Sequence, residues 1–211
     1  MQWTLVIPLK SLARAKSRLA ATSGDGLRPG LALAFAQDTV AAVVACPGVR
    51  DVVVVTNDGV AGCELAALGA RIVADEPGGG LNAALSHGAA FVRAERPEAS
   101  VAALNADLPA LRPAELARAL DGAAAFPRAF MPDAEGIGTT LLCATAGTEL
   151  LPAFGTASRA RHTASGAVEL ALEGVDSVRR DVDTGEDLRA ALALGVGPRT
   201  AEVAAGLLIP D

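Results

Sequence analysis

Three aspartates stand where carboxylates could bind a divalent cation. Asp107 follows a predicted apolar strand over Val101–Asn105, and Asp181 and Asp183 lie two residues apart in a second acidic cluster. Residues two apart in an extended segment share a face, so both carboxylates can approach one ion. Mg²⁺ takes oxygen ligands, usually one or two carboxylates together with phosphate oxygens and water. An N-cap role is the alternative for Asp107, and spacing alone slightly favours it.

The chain's two lysines, Lys10 and Lys16, lie in one short cationic segment, Pro8–Arg18. This segment directly follows the first predicted strand, Trp3–Pro8, and ligands of α/β proteins bind beyond the carboxyl ends of strands. A solvated helix start is the alternative for such a run of charge. The position after the strand favours phosphate binding, for which ammonium groups are suited.

A glycine-rich loop, Glu76–Asn82, joins a predicted buried strand at Ala70–Ala74 to a predicted helix over Leu81–Ala94. Three consecutive glycines allow backbone N–H groups to approach a ligand that a Cβ atom would exclude. An ordinary turn is the alternative, and Asn82 could cap the helix.

The segment Phe154–His162 concentrates small, hydroxyl-bearing and basic residues. Its backbone N–H groups, the Ser158 hydroxyl and either Arg159 or Arg161 would form a phosphate pocket. An exposed loop is the alternative. We expect His162 to lie at the surface without a role in proton transfer.

Two further features have structural explanations. Thr139 and Thr140 begin a predicted strand, where β-propensity alone accounts for them. Thr184 and Asp187 have the spacing of a capping box, which predicts a helix start. We also expect His87 to be structural, within a helix.

Apolar runs alternate with helical segments, which predicts a mixed, mostly parallel sheet with helices on both faces. We expect a single domain over residues 1–211, with the tail after Gly195 packing back as a short helix. The further predicted strands lie at Asp51–Thr56 and near Arg128–Pro132, Thr139–Ala144 and Ser177–Asp181. The further predicted helices lie within Leu31–Ala45, at Val60–Leu68, from Pro113, and near Ser165–Glu173 and Glu186–Leu194.

The net charge of −6 disfavours binding to a nucleic-acid backbone or an anionic membrane surface. The three cysteines, Cys46, Cys63 and Cys143, form no CxxC pair, and their apolar neighbours predict buried thiols in a reducing cytoplasm. No stretch is apolar enough to predict a membrane span.

Taken in order, these segments resemble the 2-phospho-L-lactate / phosphoenolpyruvate guanylyltransferase family of coenzyme F420 biosynthesis. The matching motifs cover nearly the whole chain: Ile7-Pro8-Leu9-Lys10, Ala15-Lys16-Ser17-Arg18-Leu19, Gly80-Leu81-Asn82-Ala83-Ala84-Leu85, Asn105-Ala106-Asp107-Leu108-Pro109, Gly138-Thr139-Thr140, Phe154-Gly155 with Ser158, and Asp181-Val182-Asp183-Thr184. The family is similar in fold to nucleotide-sugar pyrophosphorylases and molybdenum-cofactor guanylyltransferases, and the resemblance implies their GT-A-like, Rossmann-type nucleotidyltransferase fold. The chain lacks the Gly-x-Gly signature of those relatives in its first loop.

The resemblance implies that the phosphate of a three-carbon acid attacks the α-phosphorus of GTP and expels pyrophosphate. It implies Mg²⁺ at Asp107, Asp181 and Asp183, with Asp107 and Lys16 catalytic. The implied contacts to the acceptor acid are Thr140, Gly155 and Ser158. The implied contacts to the nucleotide are Lys10, Lys16, Ser17, Gly80, Leu81 and Asn82.

The resemblance leaves three possible acceptors, which are phosphoenolpyruvate, 2-phospho-L-lactate and 3-phospho-D-glycerate. The bias towards Arg and Ala is typical of a GC-rich coding background, and within the family this favours phosphoenolpyruvate. A downstream transferase of the pathway is the expected protein partner. Two alternatives remain: a cytidylyl- or uridylyltransferase acting on a sugar or alcohol phosphate, and a nucleotide-binding module without catalysis.

Overall fold

One seven-stranded sheet organises the computed structural model, which describes residues 1–12, 28–76 and 78–206. The strand order is β3-β2-β1-β4-β6-β5-β7, and of these strands β6 runs antiparallel to the rest. The strands are β1 (Trp3–Pro8), β2 (Val49–Val55), β3 (Arg71–Val73), β4 (Ser100–Leu104), β5 (Arg128–Pro132), β6 (Thr139–Ala144) and β7 (Val168–Glu169). The prediction of a mixed, mostly parallel sheet is confirmed.

Helices cover both faces of this sheet. They are α1 (Arg28–Val44), α2 (Gly59–Ala67), α3 (Leu81–Glu95), α4 (Pro113–Ala123), α5 (Ser158–Ala164), α6 (Asp176–Arg179), α7 (Gly185–Leu194) and α8 (Pro198–Ala205). Alternate residues of β1 point to opposite faces, so Leu5 and Ile7 join one apolar core and Val6 joins the other. The central parallel strands are continuously apolar because both faces of the sheet are buried.

Two predicted elements are wrong. The segment near Ser177–Asp181 is predicted as a strand, but its first residues belong to helix α6. Contacts with the start of α4 stabilise this helical turn, because Ser177 N donates to the Glu115 carboxylate and Ser177 Oγ accepts from Arg112 N. The helix predicted near Ser165–Glu173 lies earlier, as α5. Gly166, with φ of 84°, follows the end of α5, and the chain then enters β7.

Helix α3 packs unusually close to the sheet. A Cβ atom on Gly88 would lie 2.5 Å from Val6 Cγ1 and 2.8 Å from Val55 Cγ2, so glycine is needed for this approach. The contact fixes the position of the helix whose first residues follow the glycine-rich loop.

The tail after Gly195 forms α8, as predicted, and it packs on α1. The carboxylate of Asp38 in α1 accepts hydrogen bonds from Arg199 N at 3.1 Å and from Thr200 N at 2.7 Å. An acidic side chain at a helix N-terminus satisfies backbone N–H groups that have no partner within the helix.

Two of the three thiols are buried. Burial raises the pKa of Cys46 and, more strongly, that of Cys143. The expectation for Cys63 is wrong, because this residue lies on the exposed side of α2. In the described parts of the chain, no helix has the length and apolar character that crossing a membrane requires.

Candidate active site

A cavity of about 560 Å³ opens at the carboxyl ends of β1 and β4. Strands β1 and β4 are parallel neighbours, so the loops that follow them emerge side by side at the same edge of the sheet. Predicted site residues from five separate segments line this cavity: Lys10, Leu81, Asp107, Gly155, Ser158, Asp181 and Asp183. The sheet thus brings together residues up to 173 positions apart in sequence, from Lys10 to Asp183.

Lys10 lies between two anchors of the loop after β1. Leu9 N donates to Val55 O at 2.9 Å, and Leu12 N donates to the Asp58 carboxylate at 2.9 Å. The N–H of Leu12 is also the largest cause of the lowered pKa of Asp58. These bonds hold the backbone around Lys10 at the mouth of the cavity. The predicted residues Lys16 and Ser17 lie outside the described residues.

The acidic residues are brought together by backbone pairing. Val182 N donates to Asp107 O at 3.0 Å, which holds the segment between α6 and α7 against the loop after β4. Asn105 Nδ2 lies 3.4 Å from Asp181 Oδ2. The predicted capping box is confirmed, since Asp187 N donates to Thr184 Oγ1 and the Asp187 carboxylate accepts from Thr184 N.

The lining residues that the structure describes are strongly acidic. Five of these lining residues carry a carboxylate, and one, Lys10, carries a basic side chain. The five are Asp107, Asp133, Glu135, Asp181 and Asp183. Uncompensated carboxylates repel an anionic ligand, so a phosphate can enter this cavity only with local cations or donors. Within residues 1–12, 28–76 and 78–206, no three His, Cys, Asp or Glu side chains are close enough to enclose a metal by themselves.

Asn82 contacts the loop that carries Gly155. Its side chain accepts from Phe154 N at 2.7 Å and donates to Phe154 O at 3.1 Å. The interpretation of Asn82 as a cap is wrong, because α3 has Gly80 at its N-cap position, with φ of 93° and no side-chain cap. Leu81 lines the cavity, while Gly80 and Asn82 are outside its lining.

His162 is fully buried beneath the same loop, which corrects the expectation of a surface residue. Ala153 N donates to Nε2 at 2.9 Å, so Nε2 is unprotonated and Nδ1 carries the proton, 2.9 Å from Thr139 Oγ1. Burial, with the nearby Arg128 and Arg161 guanidinium groups, lowers the pKa of His162 to about 4. The imidazole is therefore neutral near pH 7 and links the loop to the start of β6.

The two candidate arginines are both engaged with protein groups. Arg159 makes a bidentate ion pair with Glu169, at 2.8 Å for both bonds, and donates to Gly136 O. Arg161 Nη2 donates to Phe154 O at 3.0 Å. Neither residue lines the cavity, so both act here by fixing loops.

The two adjacent threonines differ in position. Thr139 lines the cavity, whereas Thr140 is fully buried in β6. The Thr140 hydroxyl makes no hydrogen bond in the part of the chain that the structure describes.

The turn between β5 and β6 contributes lining residues that the sequence analysis missed. Asp133 accepts from Ile137 N at 2.9 Å and from Gly138 N at 2.7 Å, and this holds exposed Ile137 at the cavity. The available signal was the run from Asp133 to Gly138 between two apolar strands, which is typical of a side-chain-stabilised turn.

Comparison with protein families matches residues 3–207 to the family described as "Guanylyl transferase CofC like". A phosphoenolpyruvate guanylyltransferase of Streptomyces avermitilis is 79% identical over 100% of this chain and 97% of its own length. One of Streptomyces coelicolor is 78% identical over 99% of each chain.

Solved structures share the fold at much lower identity. A nucleotidyl transferase from Methanothermobacter is 21% identical, with a TM-score of 0.60 over 92% of this chain and 97% of that one. A manganese complex of Rv0371C from Mycobacterium tuberculosis is 23% identical, with a TM-score of 0.53 over 92% and 99% of the two chains. These likenesses show a nucleotidyltransferase-like fold.

Proposed function

This chain belongs to the family of CofC-like guanylyl transferases, and we propose that it transfers GMP from GTP to the phosphate of phosphoenolpyruvate and releases pyrophosphate. The observation that carries the proposal is the shared cavity, where Lys10 and three aspartates face the Gly155–Ser158 loop. The names of the streptomycete relatives support the choice of acceptor. The family also supports a place in coenzyme F420 biosynthesis, in the cytoplasm, with a downstream transferase consuming the product.

The proposed reaction is a substitution at the α-phosphorus of GTP. An oxygen of the acceptor phosphate forms the new bond to that phosphorus, and the bond from the phosphorus to the bridging oxygen of pyrophosphate breaks. A phosphate monoester is already ionised near neutral pH, so the reaction needs no general base. What the protein must supply is orientation and compensation of charge.

Asp107, Asp181 and Asp183 are the residues we propose to hold Mg²⁺. The donor set fits, because all three are hard oxygen ligands lining one cavity, and Mg²⁺ usually takes only one or two protein carboxylates and fills its shell with phosphate oxygens and water. Bound there, the ion would reduce the repulsion between the two anionic substrates. The manganese complex of the mycobacterial neighbour is consistent with divalent-metal use in this fold.

The substrate contacts that we propose are those implied by the resemblance to the guanylyltransferase family, and Lys10, Leu81, Gly155 and Ser158 among them line the cavity. Lys10, Lys16 and Ser17 are proposed to bind the phosphates of GTP, and Gly80, Leu81 and Asn82 to border its nucleoside. Gly155 and Ser158 are proposed to bind the acceptor, with Thr140 behind them.

Pyrophosphate release tests this function. With Mg²⁺, we expect release from GTP and phosphoenolpyruvate, and much less from CTP or UTP, or with 2-phospho-L-lactate or 3-phospho-D-glycerate. Asp107→Asn should abolish turnover without changing thermal unfolding, while Asp121→Asn, at an exposed position on α4, serves as the matched control. A preference for CTP or UTP with a sugar phosphate would overturn the proposal, and the absence of pyrophosphate release with every acceptor would identify a non-catalytic nucleotide-binding module.

A further inference from the structure

The carboxyl ends of β2 and β3 form a second rigid platform beside the cavity. Thr56 N donates to Val73 O at 3.0 Å, which continues the pairing of these strands one residue beyond the end of β2. The side chain of Asn57 then donates to Asp75 O and accepts from Asp75 N, each at 2.9 Å. Both backbone groups of Asp75 are therefore fixed by one amide.

The side chain of Asp75 has an unsatisfied acceptor. Its Oδ1 is buried and makes no hydrogen bond within residues 1–12, 28–76 and 78–206. Buried polar atoms in folded proteins nearly always have a partner, so one without a partner calls for an explanation. The fixed backbone and the orphaned oxygen together indicate a carboxylate prepared to accept from a ligand.

The position of Asp75 suits the far end of a nucleotide. Adjacent strands are about 4.8 Å apart, so β3 lies roughly 10 Å from β1, whose end contributes Pro8 and Lys10 to the cavity. A nucleotide with its phosphates at Lys10 would extend its base across the ends of β2 and β3. Gly78 and Gly80, with φ of 55° and 93°, leave open space beside this path, where a Cβ would meet no other atom within 4 Å.

We propose that the Asp75 carboxylate recognises the guanine base of the donor nucleotide. This inference rests on the proposed use of GTP. Guanine carries two neighbouring donors, N1–H and the N2 amino group, and an ionised carboxylate offers two acceptors and no donor. Adenine and cytosine carry a ring-nitrogen acceptor on the same edge, which a carboxylate repels. Uracil offers one N–H between two carbonyl groups.

Two neighbouring polar side chains are less suited to this role. The amide of Asn57 is already committed to the backbone of Asp75. Glu76 is exposed and, unlike Asp75, has no buried carboxylate oxygen that lacks a hydrogen bond. The contrast provides a matched control, since Glu76→Gln removes the adjacent charge and leaves Asp75 intact.

A change of base preference tests the proposal. Asparagine presents one acceptor and one donor, which match the N1–H and the C2 carbonyl of xanthine. Asp75→Asn should therefore lower kcat/KM for GTP by about tenfold or more and raise kcat/KM for xanthosine triphosphate above that of the wild type. The KM for phosphoenolpyruvate at saturating donor should stay unchanged, and Glu76→Gln should keep the wild-type ratio of GTP to xanthosine triphosphate.

The outcomes separate this proposal from the function on which it rests. An unchanged ratio of the two donors in folded Asp75→Asn would overturn the role of Asp75 while leaving GTP use intact. Misfolding cannot produce the expected gain with xanthosine triphosphate, and calorimetric titration with each nucleotide gives a second readout without turnover. If wild-type protein neither binds nor uses GTP, the proposed function fails first and this assignment fails with it.

Discussion

Asn82 and Phe154, 72 residues apart, are joined by two hydrogen bonds between one side-chain amide and one residue's backbone. Asn82 lies at the start of α3, beside the proposed nucleoside path, and Phe154 precedes Gly155 in the proposed acceptor loop. Phe154 O also accepts from Arg161. The two proposed substrate subsites therefore share a direct connection.

Replacing Asn82 should disturb the acceptor side through this connection. Asn82→Ala leaves Phe154 N without its partner, and losing such hydrogen bonds costs about 1–3 kcal/mol. We expect the KM for phosphoenolpyruvate to rise about tenfold in steady-state kinetics. Ser86→Ala, at an exposed position on the same helix, is the control. An unchanged KM would show that the loop holds its conformation without Asn82.

His162 should make stability depend on pH. Its pKa is lowered from 6.5 to about 4 in the folded chain, so between these values the unfolded chain binds a proton that the folded chain does not. The free energy of unfolding should therefore fall as pH decreases from about 6.5 to about 4, and the effect should be absent above that window. Denaturant titrations across this range measure it, and His162→Gln should flatten the slope while His87→Gln should not. If the free energy of unfolding depended on pH identically in both variants, His162 would not be the group responsible.

Thr140 offers a test that separates stability from binding. Its hydroxyl is buried without a partner among the described residues, so Thr140→Val should leave the thermal unfolding temperature unchanged or raise it. If the hydroxyl contacts the acceptor, the same variant should raise the KM for phosphoenolpyruvate several-fold. Thr139→Val, which removes the partner of His162, should instead lower stability. Wild-type kinetics in Thr140→Val would remove this residue from the acceptor site.

Metal and acceptor should bind cooperatively. The described lining carries five carboxylates, so phosphoenolpyruvate should bind at least about tenfold more tightly with Mg²⁺ than without it. Calorimetric titration in the two conditions measures the difference, and Asp183→Asn should reduce it. Equal affinity with and without Mg²⁺ would exclude a shared site.

Gly88 should be intolerant of a larger side chain. The added Cβ of Gly88→Ala would clash with Val6 and Val55, and overpacking of this kind costs about 1–3 kcal/mol. Alanine's better helix propensity, worth about 1 kcal/mol, offsets part of that cost. We expect a lower midpoint of denaturant unfolding, in contrast to Gly30→Ala, at a position of α1 where a Cβ meets no atom within 4 Å. Equal midpoints in the two variants would show that α3 can move away from the sheet.

The sequence by itself determined the sheet and most of its helices. The strand Trp3–Pro8 agrees with the prediction to the residue and a strand lies at Thr139–Ala144 as predicted, because continuous apolar runs bounded by Pro, Gly or polar residues carry their own local signal. The capping box of Thr184 and Asp187 is local in the same way. Ordered motifs also predicted the family, which the match over residues 3–207 confirmed.

Tertiary structure decided what local pattern could not. The turn at Ser177 depends on Glu115 and Arg112 of another element, and the burial of His162 depends on Phe130, Phe154 and the strand beginning at Thr139. The sequence alone could not tell whether Asn82 caps a helix or anchors a loop, and only the fold shows its contact with Phe154. In each case the deciding partner is distant in sequence, and its contact energy outweighs the small local preferences of the residues involved.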